Sequence, residues 1–249
     1  MILTIDIGNT HVVSGILTRE GNLLFKFRTA SNKNLTEDEY FSILKNISDF
    51  NSIDLKNIKG IIISSVVPAL VDIFKFLGKK YFNIEPIVVS KNINLPFILN
   101  IPTLGADRII NLSEVASKYL EKNILIFDFG TATTYDILQN NIYIGGGIIP
   151  GIQMSINSLT EKTAKLPKFD FKIKKNVIGK ETLDQLESGI YFGYIGQIKN
   201  IIEEIKKIIP DIYVISTGGL GNIPLNEIDI YDPNLSLSGL YTLYNLNNK

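Results

Sequence analysis

Asp6-Ile7-Gly8-Asn9-Thr10 closes one apolar run, Ile2, Leu3 and Ile5, and opens another, His11-Val12-Val13-Ser14-Gly15-Ile16-Leu17. The same grammar returns at Asp128-Phe129-Gly130-Thr131. Ile124, Leu125, Ile126 and Phe127 stand before that turn, and Ala132-Thr133-Thr134-Tyr135-Asp136-Ile137-Leu138 after it. Each reads as strand, tight glycine turn, strand. An acid that ends a buried strand just before glycine has a chemical use. Glycine lets the backbone approach an anion, whose charge the turn's N–H groups can meet. The carboxylate can hold a hard cation beside that anion. A single Asp-x-Gly turn is common in ordinary hairpins; two in one chain suggest a duplicated ligand-binding element.

Working outward, the first half opens with three strands, Ile2–Ile7, Val12–Leu17 and Leu23–Arg28, as an antiparallel meander. Thr36 and Glu39 form a capping box for a helix to about Phe50. Ile61–Ser65 suits a buried strand, Pro68 starts a helix to about Lys80, and Pro86–Ser90 is a short strand. The stretch from Asn94 to Thr103 is a loop. A helix follows over about Gly105–Leu120. Ala106, Ile109, Ile110, Leu112, Val115, Ala116 and Tyr119 form its apolar face, and Asp107, Asn111, Glu114 and Lys118 a polar one.

After Glu121 the pattern restarts at an offset of 122 residues, Asp6 to Asp128. That offset also pairs Leu3 with Leu125, Ile5 with Phe127, Gly8 with Gly130 and Ile16 with Leu138. A third strand, Ile142–Ile149, follows an Asn140-Asn141 turn. Helices over Gly151–Thr160 and Glu181–Ile209, a strand Ile212–Ile215 and a closing helix Leu235–Leu246 complete the half. The reading is an α/β protein of two copies of one fold, residues 1–120 and 121–249, with a ligand cleft expected between them.

Composition narrows the chemistry. The 249 residues are 45% apolar and 20% charged, with 25 basic and 25 acidic side chains. Zero formal charge argues against a nucleic-acid surface built on bulk charge. With no cysteine and His11 the single histidine, thiolate zinc, cysteine nucleophiles and Ser-His-Asp triads are excluded within one chain. The N-terminus lacks the basic region of a signal peptide, and Asp6 interrupts its apolar run. The longest apolar stretch, Ile61 to Leu77, contains Pro68, Asp72 and Lys75 and does not suit a membrane span. A cytoplasmic location is compatible with the absence of cysteine.

Further motifs make the pattern specific. They are Gly105-Ala106-Asp107-Arg108, Gly145-Gly146-Gly147-Ile148-Ile149-Pro150-Gly151, Thr163-Ala164-Lys165-Leu166-Pro167, Gly179-Lys180-Glu181-Thr182 with Ser188-Gly189, and Val214-Ile215-Ser216-Thr217-Gly218-Gly219. In this order, with the two acid-glycine turns, the chain resembles the type III pantothenate kinases over nearly its whole length. Proteins first described as Bvg accessory factors share the pattern. The resemblance implies two tandem ribonuclease-H-like domains of the sugar kinase, actin and heat-shock chaperone ATPase superfamily. It also implies phosphoryl transfer from ATP to pantothenate, with Mg²⁺, a monovalent cation (K⁺ or ammonium), and a homodimer.

On the matching positions, the resemblance implies ATP binding by Asp6, Ile7, Gly8, Asn9, Thr10, His11, Val12, Val13 and Thr131, with Asp6 also orienting Mg²⁺. It implies Asp107 as general base, Gly105, Ala106, Asp107, Arg108 and Thr182 around pantothenate, and Asp128 as ligand of the monovalent cation. Gly218 and Gly219 resemble the superfamily's adenosine-contacting turn, while Gly145–Gly147 read as backbone packing. Ile98–Leu104 matches the family's pocket-enclosing segment only in part. Competing readings are plainer: hairpin caps at the two turns, and an ordinary first-turn acid at Asp107, favoured by the helix dipole. Two other functions fit the fold, a non-catalytic accessory protein and a kinase for another acceptor.

Overall fold

The computed structural model describes residues 1–90, 92–101, 103–161 and 166–248. Pro102 and the Thr163-Ala164-Lys165 motif therefore lie outside the described residues. The chain divides into two compact units, Met1–Leu120 with Asn234–Lys249, and Glu121–Pro233.

In the first unit β1 (Ile2–Ile7), β2 (His11–Leu17) and β3 (Leu23–Ala30) form the expected antiparallel meander. β4 (Gly60–Ser65) and β5 (Ile87–Val88) extend it in parallel, giving the order β3-β2-β1-β4-β5. Side chains alternate across this sheet. Leu3, Ile5, Ile7, Ile61 and Ile63 face one core, which takes in Tyr40 and Leu44 of α1 (Glu37–Phe50) and Leu70, Phe74 and Leu77 of α2 (Pro68–Leu77). Ile2 and Ile62 face the other, with Ile109 and Ile110 of α3 (Ala106–Lys118). The Thr36–Glu39 capping box is formed, and α2 runs on as a π turn through Phe82. Within the expected loop, Ile98–Leu99 form a short strand, β6.

The second unit repeats the plan. β7 (Ile124–Phe129), β8 (Ala132–Gln139) and β9 (Ile142–Pro150) are antiparallel, and β7 carries β10 (Tyr213–Thr217) and β11 (Ile230–Tyr231) in parallel. Leu125, Phe127 and Phe129 face α4 (Ile152–Glu161) and α5 (Thr182–Ile208), whose Ile156, Tyr194, Ile198 and Ile202 complete the core. Asn140 and Asn141 both adopt positive φ, the left-handed pair that a tight hairpin turn requires. Tyr135 lies across Gly147, a packing contact as expected, whereas Gly145 has open space around it and a φ of +137°, so backbone conformation and not packing favours glycine there.

Two sequence expectations need correction. The last helix, α6 (Leu235–Asn247), belongs to the first unit, where Leu240, Leu243 and Tyr244 pack with Ile2, Ile62, Ile109 and Ile110. The assignment of residues 121–249 to one domain thus fails at its end, because burial of an apolar helix, not chain order, decides which unit it joins. The polar stripe of α3 is covered in part, with Lys118 exposed at its end. Asn111 is buried, and the half-buried Glu114 accepts a hydrogen bond from Thr242 Oγ1 of α6 at 2.8 Å. Finally, the second acid-glycine turn is one residue shorter than the first. Asp6 pairs with Val13 but Asp128 with Thr134, so Ile16 corresponds to Ile137, not Leu138.

Candidate active site

The two acid-glycine turns sit at equivalent places in their units. Asp6 is the penultimate residue of β1 and Asp128 of β7, each on the central strand of its sheet and each half-buried. Strand alternation puts Asp6 on the face shared by Ile2 and α3, away from α1 and α2. Asp128 likewise lies on the face opposite α4 and α5. The first turn is closed by Gly8 N–H donating to the His11 carbonyl at 2.9 Å. Ser31 braces it from β3's end, its hydroxyl donating to Gly8 O at 2.5 Å and its N–H to Thr10 O at 3.0 Å. Asn9, Thr10 and His11 are exposed, Val12 is buried and Val13 half-buried. The turn's backbone is thus fixed, and its polar rim is open.

Asp107 occupies the first turn of α3, behind Gly105 at the N-cap position. Its Oδ1 accepts the N–H of Arg108 at 2.9 Å, a donor shared with the Gly105 carbonyl at 3.1 Å. The carboxylate lies so close over Gly105 that a Cβ there would stand 2.4 Å from Oδ1. The Gly-x-Asp spacing is thus a steric requirement for this carboxylate position. Ala106, Asp107 and Arg108 are half-buried, Gly105 is exposed, and α3 packs on the sheet face that also carries Asp6.

In the second unit a third loop closes on the Asp128 turn. Gly218, just after β10, has φ +86°, and a Cβ there would lie 2.7 Å from both Asp128 Oδ1 and the Phe129 carbonyl. Gly151 fits as tightly against the carbonyls of Gly130 and Thr131. The loops carrying Gly218 and Gly151 thus close tightly on the turn that holds Asp128. Thr131 is exposed at the tip. Thr133 is anchored by a short hydrogen bond to Tyr194 of α5, whose phenol is pushed up to about 12 by burial. Among the described residues no three His, Cys, Asp or Glu side chains cluster as a metal site.

Thr182 begins α5 and is exposed. The segment before it is strapped to the helix. Lys172 and Lys174 bond the buried Glu187 at 2.8 and 3.0 Å, Lys174 also bonds Asp184 at 2.6 Å, and Asp184 caps the Lys180 N–H at 3.0 Å. Ser188 donates to Val177 O at 2.6 Å. Lys172, with Lys174, holds Glu187 below the usual carboxylate range, and Lys174 does the same for Asp184. The straps therefore persist through that range and are lost only as pH falls below it, through the depressed values. Sequence inspection singled out Gly179-Lys180 and Ser188-Gly189 but missed these lysines, which carry no motif of their own.

The sheet order of each unit defines the ribonuclease-H-like, actin-like class. A solved Baf-family protein from Campylobacter jejuni shares this fold, with a TM-score of 0.59 and 23% identity over 99% of this chain and 98% of that one. The family description of type III pantothenate kinase matches residues 2–204, and the chain belongs to that family. A type III pantothenate kinase of Fusobacterium nucleatum is 51% identical, covering 99% of this chain and 100% of the relative. One of Exiguobacterium sp. is 36% identical over 100% of both. These named relatives do not favour the accessory-protein alternative. Among the described residues no helix is long and apolar enough to cross a membrane.

Proposed function

We propose that the chain is an ATP-dependent pantothenate kinase, which moves the γ-phosphoryl group of ATP to the 4′-hydroxyl of pantothenate. The observation that carries this reading is the Gly105–Arg108 turn, which sets one carboxylate at the start of α3 in a chain of this family. The hydroxyl oxygen forms the new bond to γ-phosphorus while the bond to the ADP oxygen breaks. Asp107 takes the hydroxyl proton, late, as a loose phosphoryl transition state requires. Arg108 pairs with the substrate carboxylate, and Gly105, Ala106 and Thr182 line the same substrate. Asp6 to Val13 and Thr131 contact ATP.

Mg²⁺, held by Asp6, neutralises phosphate charge when bound. Asp128 would hold K⁺ or ammonium, whose preference for oxygen ligands a carboxylate meets. The chain acts in the cytoplasm, where ATP is available, with no nucleic-acid or membrane partner. A coupled ADP-release assay tests the reading: ADP should appear only with pantothenate and Mg²⁺, and faster in K⁺ than in Na⁺. ADP release indifferent to pantothenate overturns the acceptor, and equal rates in both salts overturn Asp128 as cation ligand.

A homodimer is part of the same proposal. The apolar face of α5 does not supply its contact. Tyr191, Tyr194, Ile198 and Ile202 are instead buried in their own unit. The support is now elsewhere: exposed apolar side chains on β9, Ile144 and Ile148, and along the strap before α5, Ile173, Val177 and Ile178. Sedimentation should give a dimer mass; Ile148→Asp with Ile178→Asp should give monomers, and a wild-type monomer would refute the proposal.

A further inference from the structure

Two adjacent serines end β4, and the structure treats them differently. Ser65 is satisfied: its hydroxyl donates to Val67 O at 3.0 Å and accepts the Val67 N–H at 3.0 Å, shaping the turn into α2. Ser64 is fully buried, and its Oγ has no protein hydrogen-bond partner. A folded core rarely keeps a buried hydroxyl in that state without a use for it. Its place in the sheet suggests the use. Ser64 is in direct parallel register with Asp6, so both side chains leave the same face, the one that α3 covers. Neighbouring strands lie about 4.8 Å apart, within reach of a serine hydroxyl and a carboxylate.

We propose that Ser64 is a positioning residue for Asp6. With Mg²⁺ and ATP bound, its Oγ–H donates to one oxygen of the Asp6 carboxylate and leaves the second oxygen for the metal. This rests on the assignment of Asp6 to Mg²⁺ in the kinase reading. The residues present fit that ion: one half-buried carboxylate, an exposed polar turn beside it and an uncommitted donor on the same face. A charge-assisted bond from a buried hydroxyl fixes one carboxylate rotamer.

The test uses the full chain and Mg²⁺-dependent binding of a fluorescent ATP analogue, with thermal unfolding alongside. Ser64→Ala should raise the Mg²⁺ concentration for half-maximal binding about tenfold, the worth of one charge-assisted hydrogen bond. Its unfolding midpoint should stay equal or rise, because the change removes a hydroxyl that the protein leaves unpaired. In an Asp6→Asn background, Ser64→Ala should add no further shift. An unchanged Mg²⁺ requirement overturns the proposal. So does a fall in midpoint without a Mg²⁺ effect, or a shift that persists in the Asp6→Asn background. Failure of pantothenate-dependent ADP release, with a Ser64-sensitive Mg²⁺ requirement for nucleotide binding retained, overturns the acceptor and supports the role given to Ser64.

Discussion

Asp107→Asn should lower kcat for pantothenate phosphorylation by about 10²–10⁴-fold, the usual contribution of a positioned general base. Affinity for ATP should not change. The substitution isolates proton uptake because the amide keeps the carboxylate's shape. Its oxygen can still accept the Arg108 N–H that Oδ1 accepts now, and it clears Gly105 as the carboxylate does. What the amide cannot do is take the hydroxyl proton. The opposing reading makes Asp107 an acid that merely suits a helix start. On that reading the cost is a few tenths of a kcal/mol of stability, up to about 1, with kcat intact. Steady-state kinetics and thermal unfolding of one variant therefore separate the two. A near-normal kcat sinks the base assignment.

Asp107 also shows how much of the site was legible in the sequence. Spacing alone placed it on a polar helical stripe; the ordered motifs around it, by resemblance, gave it a role. The strand-turn-strand units were legible because each writes its two-residue period and its glycine turn within one short stretch. Side-chain alternation along β1 and β7 then located Asp6 and Asp128 without any long-range information. What stayed hidden depends on partners distant in sequence. Glu114 looks like a solvent residue until Thr242 arrives on α6. The one-residue difference between the turns needs the strand register, since a deletion inside a turn leaves the alternation on each side intact. Ser64 reads as an ordinary strand residue until its register partner and its unpaired hydroxyl are known. Lys172 and Lys174 look like a solvated charge run until Glu187 is found buried beneath them.

Gly239→Ala should destabilise the protein by about 3 kcal/mol or more, at or above the upper end of what overpacking costs. In isolation the same change favours a helix by roughly 1 kcal/mol, so the environment must reverse the sign. α6 crosses α3 with no room for a side chain at this position. A Cβ on Gly239 would stand 1.9 Å from the Ile110 carbonyl oxygen and 2.6 Å from its carbon. The obstacle is backbone, which cannot rotate away as a side chain would. Relief requires α3 and α6 to separate, and that opens the cluster of Ile2, Ile62, Ile109, Ile110, Leu240 and Leu243. The same separation strains the Thr242–Glu114 hydrogen bond. Because α3 carries Asp107 at its start, damage should reach activity as well as the urea midpoint. Ser238→Ala, one residue earlier on α6, controls for the helix itself and should leave the midpoint nearly unchanged. If Gly239→Ala matches the wild type in urea, the close crossing of α3 and α6 is wrong, and with it the assignment of the last helix to the first unit.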